Sequence, residues 1–170
     1  VEPLTIAEKA IEQVRAIEMR LPVSARHTPQ QPKRAVVLGA GPVGLLGAMV
    51  LRLAGYTTFV YSRSARDEVH GPILTAIGAT LVPAETSSVS DLADLVGSVD
   101  LVYEAVGASS LAFEVLKHVG VNGTFVFTGV PGRREAVKLD LDRVMRHLVL
   151  RNQVAFGTVN AGRESFDAAV

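Results

Sequence analysis

Short apolar runs, many of them β-branched, alternate with segments of helical periodicity along most of the chain. Six of these runs are predicted to be strands, at about residues 35–38, 57–61, 79–82, 100–105, 124–127 and 153–158. Five segments between them are predicted to be helices, at about residues 43–54, 68–77, 91–96, 109–118 and 142–150. Glycines at positions 55, 78 and 120 follow three of these helices and predict their ends, and a serine at 109 predicts a cap.

Strands that are apolar on both faces are typical of a parallel sheet with helices on either side. Right-handed crossovers restrict the topology, and six strands favour the order 3-2-1-4-5-6. We therefore predict an α/β fold, a Rossmann-type doubly wound six-stranded parallel sheet. The whole chain, residues 1–170, is predicted to be a single domain with its core in residues 34–170.

The first 33 residues are predicted to form a leading helix and a loop. Thr5 and Glu8 have the spacing of a capping box, and apolar residues follow at helical spacing until about Pro22. Residues 22–33 are rich in Pro, Gln and polar groups, which is typical of a loop. Residues 164–170 resemble an unfinished helix and the first residue is not Met, so we expect a piece of a longer protein.

Composition excludes several classes of function. The 17 basic residues balance the 17 acidic ones, which argues against a nucleic acid or an anionic membrane as a partner. The absence of Cys excludes disulfides, a thiolate nucleophile and cysteine-ligated metals within this chain. No run of 18 apolar residues and no leader-like order are found, so we predict neither a membrane span nor a signal peptide, and we expect a cytoplasmic protein.

The hexapeptide GAGPVG at residues 39–44 matches the spacing G-x-G-x-x-G between a predicted strand and a predicted helix. In that context the first glycine permits a tight turn, the second lets the backbone approach a pyrophosphate, and the third lets the helix pack closely on the strand. The free N–H groups and the dipole of the helix start then favour a diphosphate. An ordinary strand-to-helix turn is the competing interpretation.

The end of the second predicted strand bears on the choice of cofactor. An NAD site usually has Asp or Glu there, whereas this chain continues with Ser62, Arg63, Ser64 and then Arg66. Guanidinium groups pair with phosphate, so the turn favours the 2′-phosphate of NADP. A solvated basic loop is the alternative, and because acidic residues follow at 67 and 68, NAD remains possible.

Two later turns follow strands predicted to end at the same edge of the sheet. They comprise residues 104–107 and residues 128–132. Ligands of open α/β sheets lie at the carboxyl ends of the strands, so backbone groups there are candidates to flank a nicotinamide and its ribose. The competing interpretation is that both turns are ordinary connections from a strand to the element that follows it.

Residues for chemistry of another kind are missing. The four histidines lack metal-ligand spacing: His27, His70, His118 and His147. No Tyr-x-x-x-Lys pair, no phosphate-binding loop of the type G-x-x-x-x-G-K-[ST] and no G-x-S-x-G motif is found. The acidic pairs at 91/94 and 140/142 fall near predicted helix starts, where capping explains them. The chain is therefore predicted to hold a cofactor site without catalytic residues of its own.

Four segments together resemble the medium-chain dehydrogenase/reductase superfamily, and in particular the C-terminal NAD(P)-binding domain of its zinc-dependent glucose dehydrogenases. They are VEPL at residues 1–4, VLGAGPVGLL at 37–46, YEAVG at 103–107 and VLRNQVAFGTVN at 149–160. The resemblance covers essentially the whole chain, and the last segment is the most diagnostic.

This resemblance implies that the zinc site and the cofactor site belong mainly to different domains. In that family a GroES-like N-terminal domain, absent from this chain, carries most zinc ligands and the substrate pocket, while this domain holds NADP and often NAD. The resemblance further implies that Ser62, Arg63 and Ser64 meet the 2′-phosphate, with Arg66 in place of a second arginine that relatives often have at 64. Glu2 matches a carboxylate that joins the catalytic zinc site, and Asn160 is implied to reach the sugar.

Pattern and resemblance together give one set of predicted cofactor-binding residues. They are Gly39, Gly41, Pro42, Val43, Gly44, Ser62, Arg63, Ser64, Arg66, Ala105, Val106, Gly107, Thr128, Gly129, Val130, Thr158, Val159 and Asn160. The last six of these are implied to line the nicotinamide.

The leading hypothesis is the NADP-binding domain of a zinc-dependent polyol or aldose dehydrogenase of the glucose type. It would position the nicotinamide for hydride transfer from a sugar carbon in the full-length protein, and the isolated domain is expected to be inactive. The alternative is a stand-alone dinucleotide-sensing module without catalysis. A methyltransferase is disfavoured because the second strand does not end in an acid. The strand at 153–158 is expected at the sheet edge, where a second copy of the chain can pair.

Overall fold

The structure is a computed structural model, and it describes residues 2–22, 32–63, 70–132 and 136–170. Within these residues the helices are α1 Glu2–Glu18, α2 Pro42–Leu53, α3 His70–Ala76, α4 Val89–Val96, α5 Ser109–Leu116, α6 Leu141–Leu150 and α7 Arg163–Ala168. The strands are β1 Arg34–Leu38, β2 Thr57–Ser62, β3 Thr80–Pro83, β4 Val99–Glu104, β5 Val119–Phe127 and β6 Val154–Gly157.

The six strands form one parallel sheet in the order β3-β2-β1-β4-β5-β6, which confirms the predicted fold and strand order. Strand β1 lies between β2 and β4, and Leu38 is in register with both Tyr61 and Glu104. The carboxyl ends of the three central strands are therefore level. The strand order reverses between β1 and β4, which is where open α/β sheets form a ligand crevice.

Each face of the sheet carries its own hydrophobic core, because successive strand residues point to opposite sides. Ala35 and Val37 of β1 belong to the cluster that includes the buried residues of α1, α2 and α3. Val36 and Leu38 belong to the other cluster, with the buried residues of α4 and α5. Both faces are thus covered, which explains why the strands read as continuous apolar runs.

The leading helix is confirmed, but its predicted start is wrong. Helix α1 begins at Glu2, and Thr5 is buried inside its first turns, where its hydroxyl donates to the carbonyl oxygen of Glu2 at 2.6 Å. Pro3 is accepted there because the first N–H groups of a helix have no intrahelical partner. The hydroxyl of Thr5 bonds back along the helix instead of capping it.

The predicted boundary between α5 and β5 also needs correction. Ala108 is the N-cap of α5 and makes no side-chain cap, so the serine at 109 does not cap the helix. Gly120 lies within β5 rather than ending the helix. A Cβ at Gly120 would lie 2.5 Å from the Ser98 hydroxyl oxygen, so the glycine is explained by close passage of the chain beside β4. The pairing of β4 with β5 shifts register at this point.

Carboxylates cap two helices, as predicted. Ser88 and Asp91 form a capping box at the start of α4, and Asp140 accepts a hydrogen bond from the backbone N–H of Arg143 in α6. The hydrogen bond from the Ser88 hydroxyl is the main cause that lowers the pKa of Asp91. Asp142 lies in the first turn of α6, whereas Asp94 lies in the second turn of α4 and caps nothing.

Two further findings concern the surface. Strand β6 is the edge of the sheet, as expected from its position in the chain. Among the helices that the structure describes, none combines the length and the apolar character needed to cross a membrane.

Candidate functional site

A cleft runs along the carboxyl ends of the strands at the point where the strand order reverses. It has two adjoining lobes of 920 and 790 Å³. Both lobes are lined by the ends of β2, β3 and β4, and they share Tyr61, Arg63, Ala84, Glu85, Val106 and Leu111. The turn after β1 lines the smaller lobe.

The three glycines of the turn after β1 are each explained differently. Gly39 has a φ of +96° and donates its N–H to the carbonyl oxygen of Tyr61 at 2.8 Å, so it makes the tight turn. A Cβ at Gly44 would overlap the carbonyl oxygen of Gly39, so the third glycine permits close packing of α2. A Cβ at Gly41 would meet no protein atom within 4 Å. The second glycine therefore has no internal packing reason and leaves the surface of the cleft open.

The start of α2 presents unpaired donors at this surface. Gly41 is the N-cap and has no side-chain cap, and Pro42 occupies the first helical position. Within the described part of the chain, the N–H groups of Gly41, Val43 and Gly44 donate no hydrogen bond. Unpaired N–H groups at a helix N-terminus form a site for an anion. The strand, turn and helix predicted around the motif are thus confirmed, while the contact with a cofactor stays a prediction.

The end of β2 carries the predicted phosphate-binding residues. Ser62 is buried and its carbonyl oxygen accepts from the N–H of Ala84, whereas Arg63 is exposed and lines both lobes of the cleft. The predicted partners Ser64 and Arg66 lie outside the described residues. The hydroxyl of Tyr61 donates to the carbonyl oxygen of Ser87 at 2.8 Å, which joins this strand end to the turn after β3. Burial raises the pKa of Tyr61.

Glu104, the last residue of β4, was not among the predicted site residues. Its side chain is only 2% exposed, and its Oε1 accepts hydrogen bonds from the backbone N–H groups of Val106 at 2.8 Å and Gly107 at 2.7 Å. The signal in the sequence is an acid at the end of β4, directly after residues 101–103, which are all buried. The sequence does not predict the partners of this side chain, because they depend on the path of the turn that follows it.

The same residue joins the turn after β4 to the turn after β5. The carbonyl oxygen of Glu104 accepts from the N–H of Thr128 at 2.9 Å, from its hydroxyl at 2.7 Å and from the N–H of Gly129 at 3.1 Å. A Cβ at Gly129 would overlap the N–H of Gly107, so the two turns are in direct contact. Val106 and Val130 remain exposed beside them. The structure thus brings residues 105–107 and 128–130 together, as the prediction of a shared site requires.

The end of β6 continues this surface. Thr158 donates its N–H to the carbonyl oxygen of Phe127 at 2.9 Å, and its hydroxyl oxygen is buried without a hydrogen-bond partner in the described residues. Val159 and Asn160 are exposed, and Asn160 has a φ of +57°. The ammonium group of Lys9 donates to the carbonyl oxygens of both residues, at 2.9 and 2.7 Å. Sequence reasoning missed Lys9, because 150 positions separate it from its partners.

Glu2, the predicted contributor to a zinc site, is exposed at the first position of α1. Lys9 lies seven positions further along α1, which corresponds to about 10 Å along a helix. Among the described residues, no group of three or more His, Asp or Glu side chains is arranged to hold a metal ion. His70, His118 and His147 belong to no such group within the described residues, and His27 lies outside those residues. The role of Glu2 stays a prediction.

Comparison with known proteins gives a consistent family. The family described as "Glucose dehydrogenase C-terminus" matches residues 1–170. Glucose 1-dehydrogenase of Methanocella arvoryzae is 32% identical over 169 residues, which are 99% of this chain and 45% of that protein. Glucose 1-dehydrogenase 1 of Caldivirga maquilingensis is 36% identical over 168 residues, which are 98% of this chain and 44% of that protein.

A solved structure agrees with these sequence relatives. The crystal structure of glucose dehydrogenase from Haloferax mediterranei superposes with a TM-score of 0.86 at 31% identity, and the match covers 99% of this chain and 46% of that one. The same enzyme in complex with NADP, Zn and gluconolactone gives a TM-score of 0.85. The chain spans about half the length of the relatives it matches. It belongs to the glucose dehydrogenase C-terminus family.

Proposed function

We propose that this chain is the NADP-binding domain of a zinc-dependent dehydrogenase that acts on an aldose or polyol of the glucose type. The observation that carries the proposal is the start of α2, where unpaired backbone N–H groups and the open surface at Gly41 face the cleft. A diphosphate satisfies those donors and matches the helix dipole. The residues present therefore fit the pyrophosphate of a dinucleotide.

The adenosine end of the cleft favours NADP over NAD. Arg63 is the charged side chain that follows β2, where NAD-binding proteins usually have a carboxylate. It is exposed and lines both lobes, so its guanidinium group is free to pair with a 2′-phosphate. NAD remains a possible second cofactor, because a 2′-hydroxyl needs no cation.

The other end of the cleft suits the nicotinamide. The turns after β4 and β5 are joined there by hydrogen bonds to Glu104, and Lys9 binds the turn after β6, which begins beside the end of β5. Asn160 is proposed to reach the sugar, and Glu2 to contribute to the zinc site together with residues of another domain. When bound, zinc polarises the substrate hydroxyl for loss of hydride. The complex of the Haloferax enzyme with NADP, Zn and gluconolactone supports this assignment.

A titration with NADPH tests the proposal. The chain has no Trp, so nicotinamide fluorescence is measured without interference from protein emission in that range. We expect a saturable change in fluorescence. The absence of any saturable signal at millimolar NADPH contradicts the proposal.

A charge reversal at Arg63 tests the preference for NADP. Arg63→Asp is expected to weaken NADPH binding by about 1.5–3 kcal/mol, the contribution of a charge-assisted hydrogen bond, and NADH binding far less. The control is Arg163→Asp in α7, which changes net charge equally at a side chain that is 93% exposed. If Arg63→Asp weakens both cofactors equally, Arg63 does not recognise the phosphate.

We also propose that two copies of the chain associate through the edge strand β6. Among the described residues no strand pairs with its outer edge, and residues 155 and 157 are exposed. Light scattering is expected to give the mass of a dimer. A monomer mass at high protein concentration contradicts this assignment.

A further inference from the structure

Glu104 is a buried carboxylate at the edge of the cleft. It is 2% exposed, and its Oε1 accepts two backbone hydrogen bonds from the turn that follows it. In the parts of the chain that the structure describes, no Lys, Arg or His lies within ion-pair distance of it. Two N–H dipoles hold this side chain in place, but no cation cancels its charge.

The carboxylate lies directly behind the surface proposed for the nicotinamide. A Cβ placed on Gly129 would be 2.7 Å from its Oε2, so that oxygen contacts the turn after β5. Its other oxygen binds the turn after β4. Both turns belong to the proposed nicotinamide site, whereas the start of α2 and Arg63 belong to the diphosphate and adenosine ends.

A fixed negative charge at this place acts differently on the two redox forms of the cofactor. The nicotinamide ring is a cation when oxidised and neutral when reduced. Because the Glu104 side chain is shielded from water, its uncompensated carboxylate attracts the cation and leaves the neutral ring unaffected. A residue that only shapes the turns would change the binding of both forms alike.

We infer that Glu104 tunes the cofactor electrostatically, and that its carboxylate makes the site favour the oxidised over the reduced nicotinamide. This inference rests on the proposed function, since it requires NADP in the cleft. By linkage, the ratio of the two affinities sets the potential of the bound cofactor, and a tenfold change in the ratio corresponds to about 30 mV for a two-electron couple. Glu104 is thus a positioning residue that also tunes the direction of hydride transfer.

The test is the ratio of the dissociation constants for NADPH and NADP⁺, measured by calorimetry on the 170-residue chain and on Glu104→Gln. Glutamine keeps the acceptor oxygen and the shape but removes the charge. We expect the preference for NADP⁺ to fall about tenfold, which is modest for the loss of a unit charge that is shielded from water. Adenosine 2′,5′-bisphosphate, which has no nicotinamide, is expected to bind both chains within about twofold.

Asp94→Asn is the control, since it removes one carboxylate from an exposed position on α4 that lines neither lobe of the cleft. It is expected to leave the ratio unchanged. An unchanged ratio in Glu104→Gln, with adenosine 2′,5′-bisphosphate still bound, overturns the inference but not the proposed function. If wild type binds neither adenosine 2′,5′-bisphosphate nor NADP⁺, the proposed function itself fails.

A second variant covers the case in which Glu104→Gln does not fold, which its failure to bind adenosine 2′,5′-bisphosphate would show. Glu104→Asp keeps the charge and shortens the side chain by one methylene. Its ratio is expected to stay within about twofold of wild type, even if both affinities fall. A change of about tenfold in that variant contradicts the electrostatic role.

Discussion

The turn after β1 and the paired turns after β4 and β5 line the same cleft, yet their backbone donors are used in opposite ways. At the start of α2, three N–H groups have no partner within the described residues. In the paired turns, four N–H groups all donate to Glu104, two to its side chain and two to its carbonyl oxygen. The donors at the start of α2 are thus unbonded in the described residues, whereas those of the paired turns are already bonded within the chain.

The glycines of the two regions also differ in whether the space beside them is open or filled by protein. Gly41 faces open space, whereas Gly129 is in direct contact with the turn after β4. Glycine in the first region therefore leaves room for something outside the chain, and glycine in the second lets two parts of the chain approach each other. We therefore expect the first region to recognise the charge of a ligand and the second to provide a fixed surface.

The largest effect is expected for Gly44→Ala, which disturbs the junction between the turn and α2. Its Cβ would overlap a backbone oxygen that cannot move independently. We expect a loss of about 3 kcal/mol in the free energy of unfolding, as for an overpacked core. Chemical denaturation measures it, and a variant as stable as wild type would disprove the close packing of α2.

Gly41→Ala separates binding from folding. Alanine fits the φ of −71° and ψ of 176° there and meets no protein atom, so stability should change by less than about 0.5 kcal/mol. The added methyl group blocks approach of a diphosphate to the N–H groups, so NADPH affinity should fall by about 2 kcal/mol. Gly162→Ala is the control, because Gly162 is also an N-cap with φ −83°, ψ 176° and open space. Equal NADPH affinities for both variants would contradict the role of Gly41.

Thr128→Val tests the paired turns after β4 and β5. It removes the hydroxyl that donates to Glu104 and keeps the shape, so the free energy of unfolding should fall by about 1 kcal/mol. Affinity for NADPH should fall, and affinity for adenosine 2′,5′-bisphosphate should not. Thr86→Val, at an exposed hydroxyl with a 3.5 Å contact, is the control. A loss for both ligands would mean that the two regions are not independent.

The smallest effect is expected for Lys9→Met, which releases the loop after β6. Lys9 is only partly buried, so its bonds should contribute about 0.5 kcal/mol to stability. The clearer readout is the backbone order parameter of Asn160 from NMR relaxation, which should fall. Lys138→Met, at an exposed lysine, should leave it unchanged. An unaltered order parameter in Lys9→Met would show that α1 does not hold the loop.

The strands and the turn after β1 were predictable because both depend on neighbours in sequence, and the strand order follows from the right-handed crossovers of parallel sheets. Apolar runs identify strands covered on both faces, and the spacing of the three glycines identifies their context. The helix ends at Gly55 and Gly78 were predictable for the same reason: α2 ends at Leu53 and α3 at Ala76.

The corrections arise where a local pattern has two structural meanings. A threonine three residues before a glutamate occurs inside a helix as well as at its start, and Thr5 is of the first kind. Gly120 follows a helix, but it is explained by contact with Ser98 of a distant segment. Lys9 was missed because its partners are 150 positions away and are brought near only by the fold. The role of the Glu104 side chain was missed because its bonds depend on the path of the turn that follows it.

The most direct test of the central claim is a crystal structure of the chain with NADP. The account predicts diphosphate oxygens about 3 Å from the backbone N–H groups at the start of α2, and the 2′-phosphate beside Arg63. A dinucleotide bound elsewhere, or a cleft that stays empty at saturating NADP, would contradict it.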